Sequence, residues 1–303
     1  KPFFAALGFY LPHLPWYYPQ EILEEPGLAH IRNVEDVMLP ATLADSTLSD
    51  ITDLSDLAVR IAHGGIKPRL LDGSKTYKSW HDAITGEGKW KEAVQAYLAS
   101  IYFVDKQLGR VLDALEQSPH AENTIVVLWS DHGWMLGEKE AWRKYRPWED
   151  SVRTNFIIKA PGMPAAAVEN PVELLSIWPT LSELAGLPMK EDLDGRSLVP
   201  LMEDPSMRWN HPVITAHIDE SGSGGWQSIR TQKYRYIKYM KTGDEELYDH
   251  SKDPNEWTNL IESTAYKSVR GELSELVPDK MTPLGSWYAP SEAVEEHNQR
   301  GLH

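Results

Sequence analysis

Asp131 and His132 lie side by side in Ser130-Asp131-His132-Gly133-Trp134-Met135-Leu136-Gly137-Glu138. A hard carboxylate beside an imidazole can ligate Ca²⁺ or Mg²⁺. The pair follows Thr124-Ile125-Val126-Val127-Leu128-Trp129, a β-branched run that predicts a strand buried on both faces of a parallel sheet. Ligands of such sheets gather beyond the carboxyl ends of the strands. A second reading is equally open, with Asp131 capping a turn and His132 a polar loop residue. Just downstream, Lys139, Arg143, Lys144 and Arg146 put four cations into eight residues. Such a run either focuses a positive potential on an anion or forms a solvated basic turn. His13, flanked by Pro12 and Pro15, can donate a proton or hold an anion, or sit as an ordinary loop histidine. Twelve Trp and thirteen Tyr, among them Trp16, Tyr17, Tyr18, Trp142, Tyr145 and Trp148, can stack on sugars or fill a core. The other histidines, including His63, His81, His211 and His217, lack zinc-site spacing.

The elements around these residues predict an α/β layer fold. Phe3 to Tyr10 is an apolar run that predicts a buried strand, ended by the prolines around His13. From Trp16 to about Gly88 the chain is rich in Pro, Asp and Tyr, the composition of a functional rim, with one helical passage near Ser49 to His63. Val94, Tyr97, Leu98, Ile101, Val104, Leu108, Val111, Leu112 and Leu115 recur at helical steps within Lys89 to Gln117, so a long helix should pack on a sheet. Asn155 to Ala160 predicts a strand, and Val172 to Ala185 a helix ended by Gly186. Beyond Asn210 the pattern changes to short strands at 213–217, 228–231, 234–239 and 247–249, with a closing helix near 266–276. This sets two domains, 1–211 and 212–303.

Composition narrows the class. With 303 residues, 30 Lys and Arg against 45 Asp and Glu, and a net charge of −15, the chain is no general nucleic-acid binder, because phosphate contacts need clustered cations. No apolar stretch is long enough to span a membrane. The first residues lack a signal-peptide pattern and open inside the expected strand, as in a fragment or a processed piece. With no cysteine, disulfides, thiolate metal sites and a cysteine nucleophile are excluded within these residues.

Taken in order, "KPFFAALGFYLPHLPW", "AYLASIYFVDKQLGRVLDALE", "NTIVVLWSDHGWMLGEKEAWRKY", "SIWPTLSELAGLP", "DGRSLVPL", "SIRTQKYRYIKY" and "ELYDHSKDPNEWTNL" resemble the sulfatases of the alkaline-phosphatase superfamily, most closely the iduronate-2-sulfatase-like branch. The resemblance implies part of an alkaline-phosphatase-like α/β sheet flanked by helices, plus a small C-terminal antiparallel sheet with a helix. It implies Asp131 and His132 as ligands of an active-site Ca²⁺, with Mg²⁺ as the substitute. Lys144 would then bind a sulfate oxygen, and His13 would contact the sulfate or protonate the leaving oxygen. Trp134 and Tyr145, beside these positions, become candidates for a sugar subsite. The implied substrate is a sulfated carbohydrate, and the implied location is periplasmic, secreted or lysosomal.

One departure from the family is large. Sulfatases carry a Cys/Ser-x-Pro-x-Arg motif whose first residue becomes formylglycine, and these 303 residues contain no such motif. The N-terminal Asp-Asp pair and the nearby Lys and His are also absent. The resemblance therefore implies a C-terminal portion, inactive alone, whose partner is the N-terminal portion of the same enzyme. Two other functions remain open, a phosphoester or phosphonate hydrolase of the same superfamily and a non-catalytic sulfated-glycan-binding chain.

Overall fold

Serine hydroxyls open the first two α-helices. Ser55 Oγ accepts from Ala58 N at 3.2 Å ahead of α1 (Asp56–His63), and Ser79 Oγ accepts from Asp82 N at 3.0 Å ahead of α2 (Trp80–Gly86). The computed structural model describes residues 2–39, 50–64, 67–69, 74–218 and 224–279, so Ser49, the expected start of the first helical passage, lies outside the described residues. The chain divides into two compact units, Lys1–Val168 with Leu174–Met207, and Glu169–Glu173 with Arg208–His303.

The helical period of 89–117 is realised as α3 (Trp90–Glu116). Its buried residues meet mainly an irregular stretch rather than a broad sheet, with Leu136 packed alongside. Val94 and Ala99 join Ile22, Leu28, Ile31 and Val37 in one apolar cluster. The stretch that supplies those partners is built from short 3₁₀ turns, Gln20–Glu24, Pro26–Leu28 and Val34–Asp36. Gln95 fixes it by donating from Nε2 to Ile31 O at 2.7 Å and to Arg32 O at 3.0 Å. An apolar stripe specifies burial but not the element that buries it.

Two further expectations are corrected. Residues 3–10 form no strand among the described residues, and Phe3, Phe4, Leu7, Phe9 and Tyr10 are exposed. An apolar run becomes a buried strand only when neighbours pair with its backbone and cover its faces. Strand β1 (Val126–Trp129) pairs antiparallel with β4 (Phe156–Lys159), from Val126 opposite Lys159 to Trp129 opposite Phe156. Trp129 and Ile157 stay exposed, so β1 is neither parallel to its partner nor buried on both faces. β-branching reports strand propensity and leaves the direction of the partner open. Between them lie β2 (Met135–Leu136), β3 (Trp142–Arg143) and α4 (Glu149–Val152). The helix expected from Val172 begins as a 3₁₀ turn, Leu174–Ser176, and continues as α5 (Ile177–Leu184). It ends at Gly186, whose φ of +64° suits glycine. The last helix of this unit is α6 (Val199–Glu203).

The second unit carries a four-stranded antiparallel meander in the order β5 (Val213–His217), β6 (Trp226–Arg230), β7 (Tyr234–Tyr239) and β8 (Glu245–Asp249), followed by α7 (Lys267–Ser274). Ile229, Tyr236, Leu247 and Leu273 form its apolar core. Arg235, on the opposite face of the sheet from that core, forms a buried ion pair with Glu256, with His250 Nε2 at 2.8 Å from Glu256 Oε1 and Ser228 Oγ accepting from Arg235 Nη1 at 2.7 Å. Such satisfaction is what makes a buried charge pair tolerable.

Candidate active site

The chain leaving β1 is pinned on both sides of Asp131 and His132. Ser130 N donates to Thr154 Oγ1 at 3.1 Å and Thr154 Oγ1 donates back to Ser130 O at 2.7 Å. Gly133 N donates to Ser151 O at 2.9 Å. A Cβ on Gly133 would stand 2.1 Å from Asp150 O and 2.4 Å from Arg153 O, so only glycine lets the two backbones approach. Asp131 projects into solvent from this turn, with its side chain 71% exposed.

His132 is oriented by its own neighbour. Its Nδ1 lies 2.7 Å from Gly133 O, a carbonyl that can only accept, so Nδ1 is the donor in that contact and Nε2 is the ring nitrogen turned outward. Nε2 is 3.4 Å from Asp131 Oδ2. Two ligand atoms at that spacing can share one cation bound at about 2.3–2.6 Å, and a carbonyl on the far ring nitrogen is the usual device for presenting a ligating imidazole. The donor set therefore fits Ca²⁺. It covers only part of a shell of about six to eight oxygen-rich ligands, and among the described residues no third Asp, Glu or His joins these two.

His13 is held in the same way. Its Nδ1 is 2.6 Å from Leu14 O and 3.1 Å from Tyr10 Oη, while Tyr10 Oη donates to Leu14 O at 2.5 Å. Trp134 packs against both histidines. Its ring is edge-on to His13 at 6.2 Å and stacked against His132 at 6.3 Å. Tyr97, from α3, stacks on Trp134 at 6.2 Å, and Trp16 meets both rings edge-on. Residues far apart in sequence thus meet in one aromatic cluster. Tyr97 was not among the sequence candidates for the site, because its helical period marks it only as a core position.

The basic run separates into different jobs. β2 and β3 pair with Met135 opposite Arg143 and Leu136 opposite Trp142, so the next residues at the open end of this hairpin are Trp134 and Lys144. Lys139 points the other way, fully buried, with Nζ 3.0 Å from Asp50 Oδ1 and its backbone N donating to Asp50 Oδ2 at 3.0 Å. Burial pushes the Asp50 carboxyl above its ordinary range, and Lys139 opposes that rise. Arg146 donates from Nε to Ala62 O at 3.2 Å and from Nη1 to Lys144 O at 3.1 Å and Tyr145 O at 3.3 Å. Burial, with a smaller push from Arg143, lowers Arg146 to about 10. Two of the four cations are therefore structural, which corrects the reading of the run as a single positive pocket or a solvated turn. Lys144 Nζ lies 5.3 Å from the centre of the exposed Tyr145 ring. No hydrogen bond or ion pair joins Lys144 to Asp131 or His132.

Glu138 is a second residue without a sequence signal. Its Oε2 accepts from Leu136 N at 2.7 Å, and burial, reinforced by Asp150 and Asp50, raises it to about 7. Trp90 Nε1 donates to Leu136 O at 2.6 Å, so the hairpin is tied to α3 at the same residue.

Comparison with known proteins shows the family and the fold. A family model described as Sulfatase covers residues 1–187, and one described as N-sulphoglucosamine sulphohydrolase, C-terminal, covers residues 137–282. A sulfatase of Formosa agariphila is 37% identical over 279 residues, covering 92% of this chain and 50% of the relative. The solved structure of a 2-O GAG sulfatase superposes with a TM-score of 0.58 at 26% identity, over 73% of this chain and 47% of that one. A phosphonate monoester hydrolase of Agrobacterium radiobacter gives a TM-score of 0.57 at 26% identity, over 67% and 43%. These likenesses show the alkaline-phosphatase-like α/β fold. The chain spans about half the length of the curated relatives it matches. Because the first family model runs unbroken from the His13 loop through the Asp131-His132 turn to the Lys144 hairpin and beyond, this chain belongs to the sulfatase family.

Proposed function

We propose that the protein hydrolyses sulfate esters of a carbohydrate, a sulfated polysaccharide or oligosaccharides derived from it. The observation that carries this reading is the Asp131–His132 pair, with an exposed carboxylate 3.4 Å from Nε2, and His13 against the same Trp134 ring as His132. Asp131 and His132 hold Ca²⁺, with Mg²⁺ able to substitute. Lys144 binds a sulfate oxygen and offsets the charge that builds on it. His13 donates a proton to the bridging oxygen as the S–O bond breaks and its electron pair passes to that oxygen. Trp134 and Tyr145 lie where the sugar would bind. The N-terminal portion of the same enzyme is the partner: Ca²⁺ would supply electrostatic stabilisation and a formylglycine from that portion the nucleophile. The exposed side chains at 3–10 and on β1 and β4 are the surface such a portion would cover. A polymeric sulfated substrate goes with an exported enzyme, periplasmic, secreted or lysosomal.

The structural likeness to a phosphonate monoester hydrolase favours one second reading, hydrolysis of a phosphoryl ester by the same residues. The test is made in the full-length enzyme, with sulfate release from sulfated disaccharides measured beside turnover of a phosphonate monoester. Preference for the sulfate ester, lost on Lys144→Ala and on His13→Ala by roughly 10²-fold or more, is the expected result. Turnover close to the parent in both variants would sink the site assignment, and preference for the phosphonate would transfer the site to the second reading.

A further inference from the structure

We infer that Trp16 is a positioning residue for His13, and that its indole N–H sets how well the enzyme expels a poor leaving group; this rests on the sulfatase reading. His13 lies on an irregular loop with no strand ladder to hold it. Trp16 Nε1 donates to Pro12 O at 2.9 Å, which clamps the carbonyl immediately before His13. The Trp16 ring then packs edge-on against Tyr97 at 5.8 Å and 66°, and against Trp134 at 6.4 Å and 64°. Tyr97 belongs to the long helix α3 and lies nearly parallel to Trp134, at 6.2 Å and 16°. Trp134 follows the metal-binding turn directly and carries the edge of His13. One side chain therefore references the proton donor to both the helix and the turn.

The N–H is the part that matters for orientation. A plain aromatic ring at position 16 keeps the packing against Tyr97 and Trp134 but leaves Pro12 O without that donor, so the backbone bearing His13 can rotate. Misplacement of a general acid penalises reactions in which the leaving oxygen needs the proton. A sugar alkoxide needs it. The 4-nitrophenolate anion is a stable leaving group and does not.

The experiment uses the full-length enzyme, with sulfate release from a pool of sulfated glycosaminoglycan disaccharides and from 4-nitrophenyl sulfate. For Trp16→Phe, kcat on the disaccharides should fall roughly 10- to 100-fold at unchanged KM, while turnover of the aryl sulfate stays within about threefold of the parent. Equal losses on both probes would mean a merely structural role and would overturn the inference, as would no loss on either. Should Trp16→Phe fail to fold, replacement of Trp16 by its benzothiophene isostere removes the N–H at constant shape, and the same two outcomes decide. A parent enzyme that releases sulfate from neither probe would instead remove the sulfatase reading on which the inference rests.

Discussion

His13 and His132 face the same indole, that of Trp134, and each has its Nδ1 tied to a backbone carbonyl, Leu14 O at 2.6 Å and Gly133 O at 2.7 Å. Each ring is thereby left with Nε2 as its working atom. At His132 that atom lies beside a carboxylate and suits a cation. At His13, among the described residues, no ion pair to a carboxylate is formed, and the ring lies instead among Tyr10 and Trp134.

Chelation should abolish sulfate release by the full-length enzyme, and added Ca²⁺ should restore it. In Asp131→Ala the apparent Ca²⁺ affinity should fall on the order of 10²-fold or more, together with activity. A calcium titration followed by turnover measures both, and unchanged affinity would reject Asp131 as a ligand.

The buried Asp50–Lys139 pair is a structural element of the hairpin rather than part of an anion site. Lys139→Met alone should destabilise the fold by about 3–5 kcal/mol, because it strands a buried carboxylate. Combining it with Asp50→Asn should recover much of the loss. Chemical denaturation of both single variants and the double variant gives the coupling energy, and strict additivity would count against the pair.

Glu138 makes stability depend on pH in an unusual direction. Its folded value of about 7 lies above the ordinary 4.5, so the folded state holds a proton that the unfolded chain releases. The stabilising contribution is complete below about 4.5 and is lost as pH rises through 7. Glu138→Gln keeps an oxygen acceptor for Leu136 N and removes the titration. Its melting temperature should match the parent near pH 4.5 and exceed it above pH 7, by up to about 3 kcal/mol of stability. A gap that is constant across this range would show that Glu138 does not titrate there.

Gly133→Ala tests the close approach of the Asp131–Gly133 turn to the 150–153 backbone. With carbonyl oxygens 2.1 and 2.4 Å from the new Cβ, the backbone must shift, at a cost of about 1–3 kcal/mol. The variant should melt lower than the parent and bind Ca²⁺ more weakly. An alanine variant with parental melting temperature and calcium affinity would contradict the geometry.

Much of the architecture is written in local pattern. The helical period of 89–117 becomes Trp90–Glu116, the short strands expected beyond Asn210 become a four-stranded meander, and Gly186 ends its helix with a positive φ. The Asp131-His132 pair, His13 and the basic run around Lys144 are visible as residue types in the sequence, but their pattern leaves bland readings open, and the roles given to them, Lys144 above all, come from the family resemblance. These signals are short-range, since helix period, turn chemistry and side-chain type act within a few residues.

The tertiary structure decided what each signal was for. Lys139 and Lys144 look alike in a run of four cations, yet one is buried on Asp50 and the other sits at the mouth of the hairpin. Val126–Trp129 reads as a strand from its residues, but the direction of its partner comes from residues 156–159. Phe3 to Tyr10 has the composition of a buried strand and is exposed, because burial requires neighbours that no run of residues carries in itself. The meeting of Trp16, Tyr97 and Trp134 joins a loop, a helix and a turn; that packing is non-local, and only the folded chain brings the three rings together.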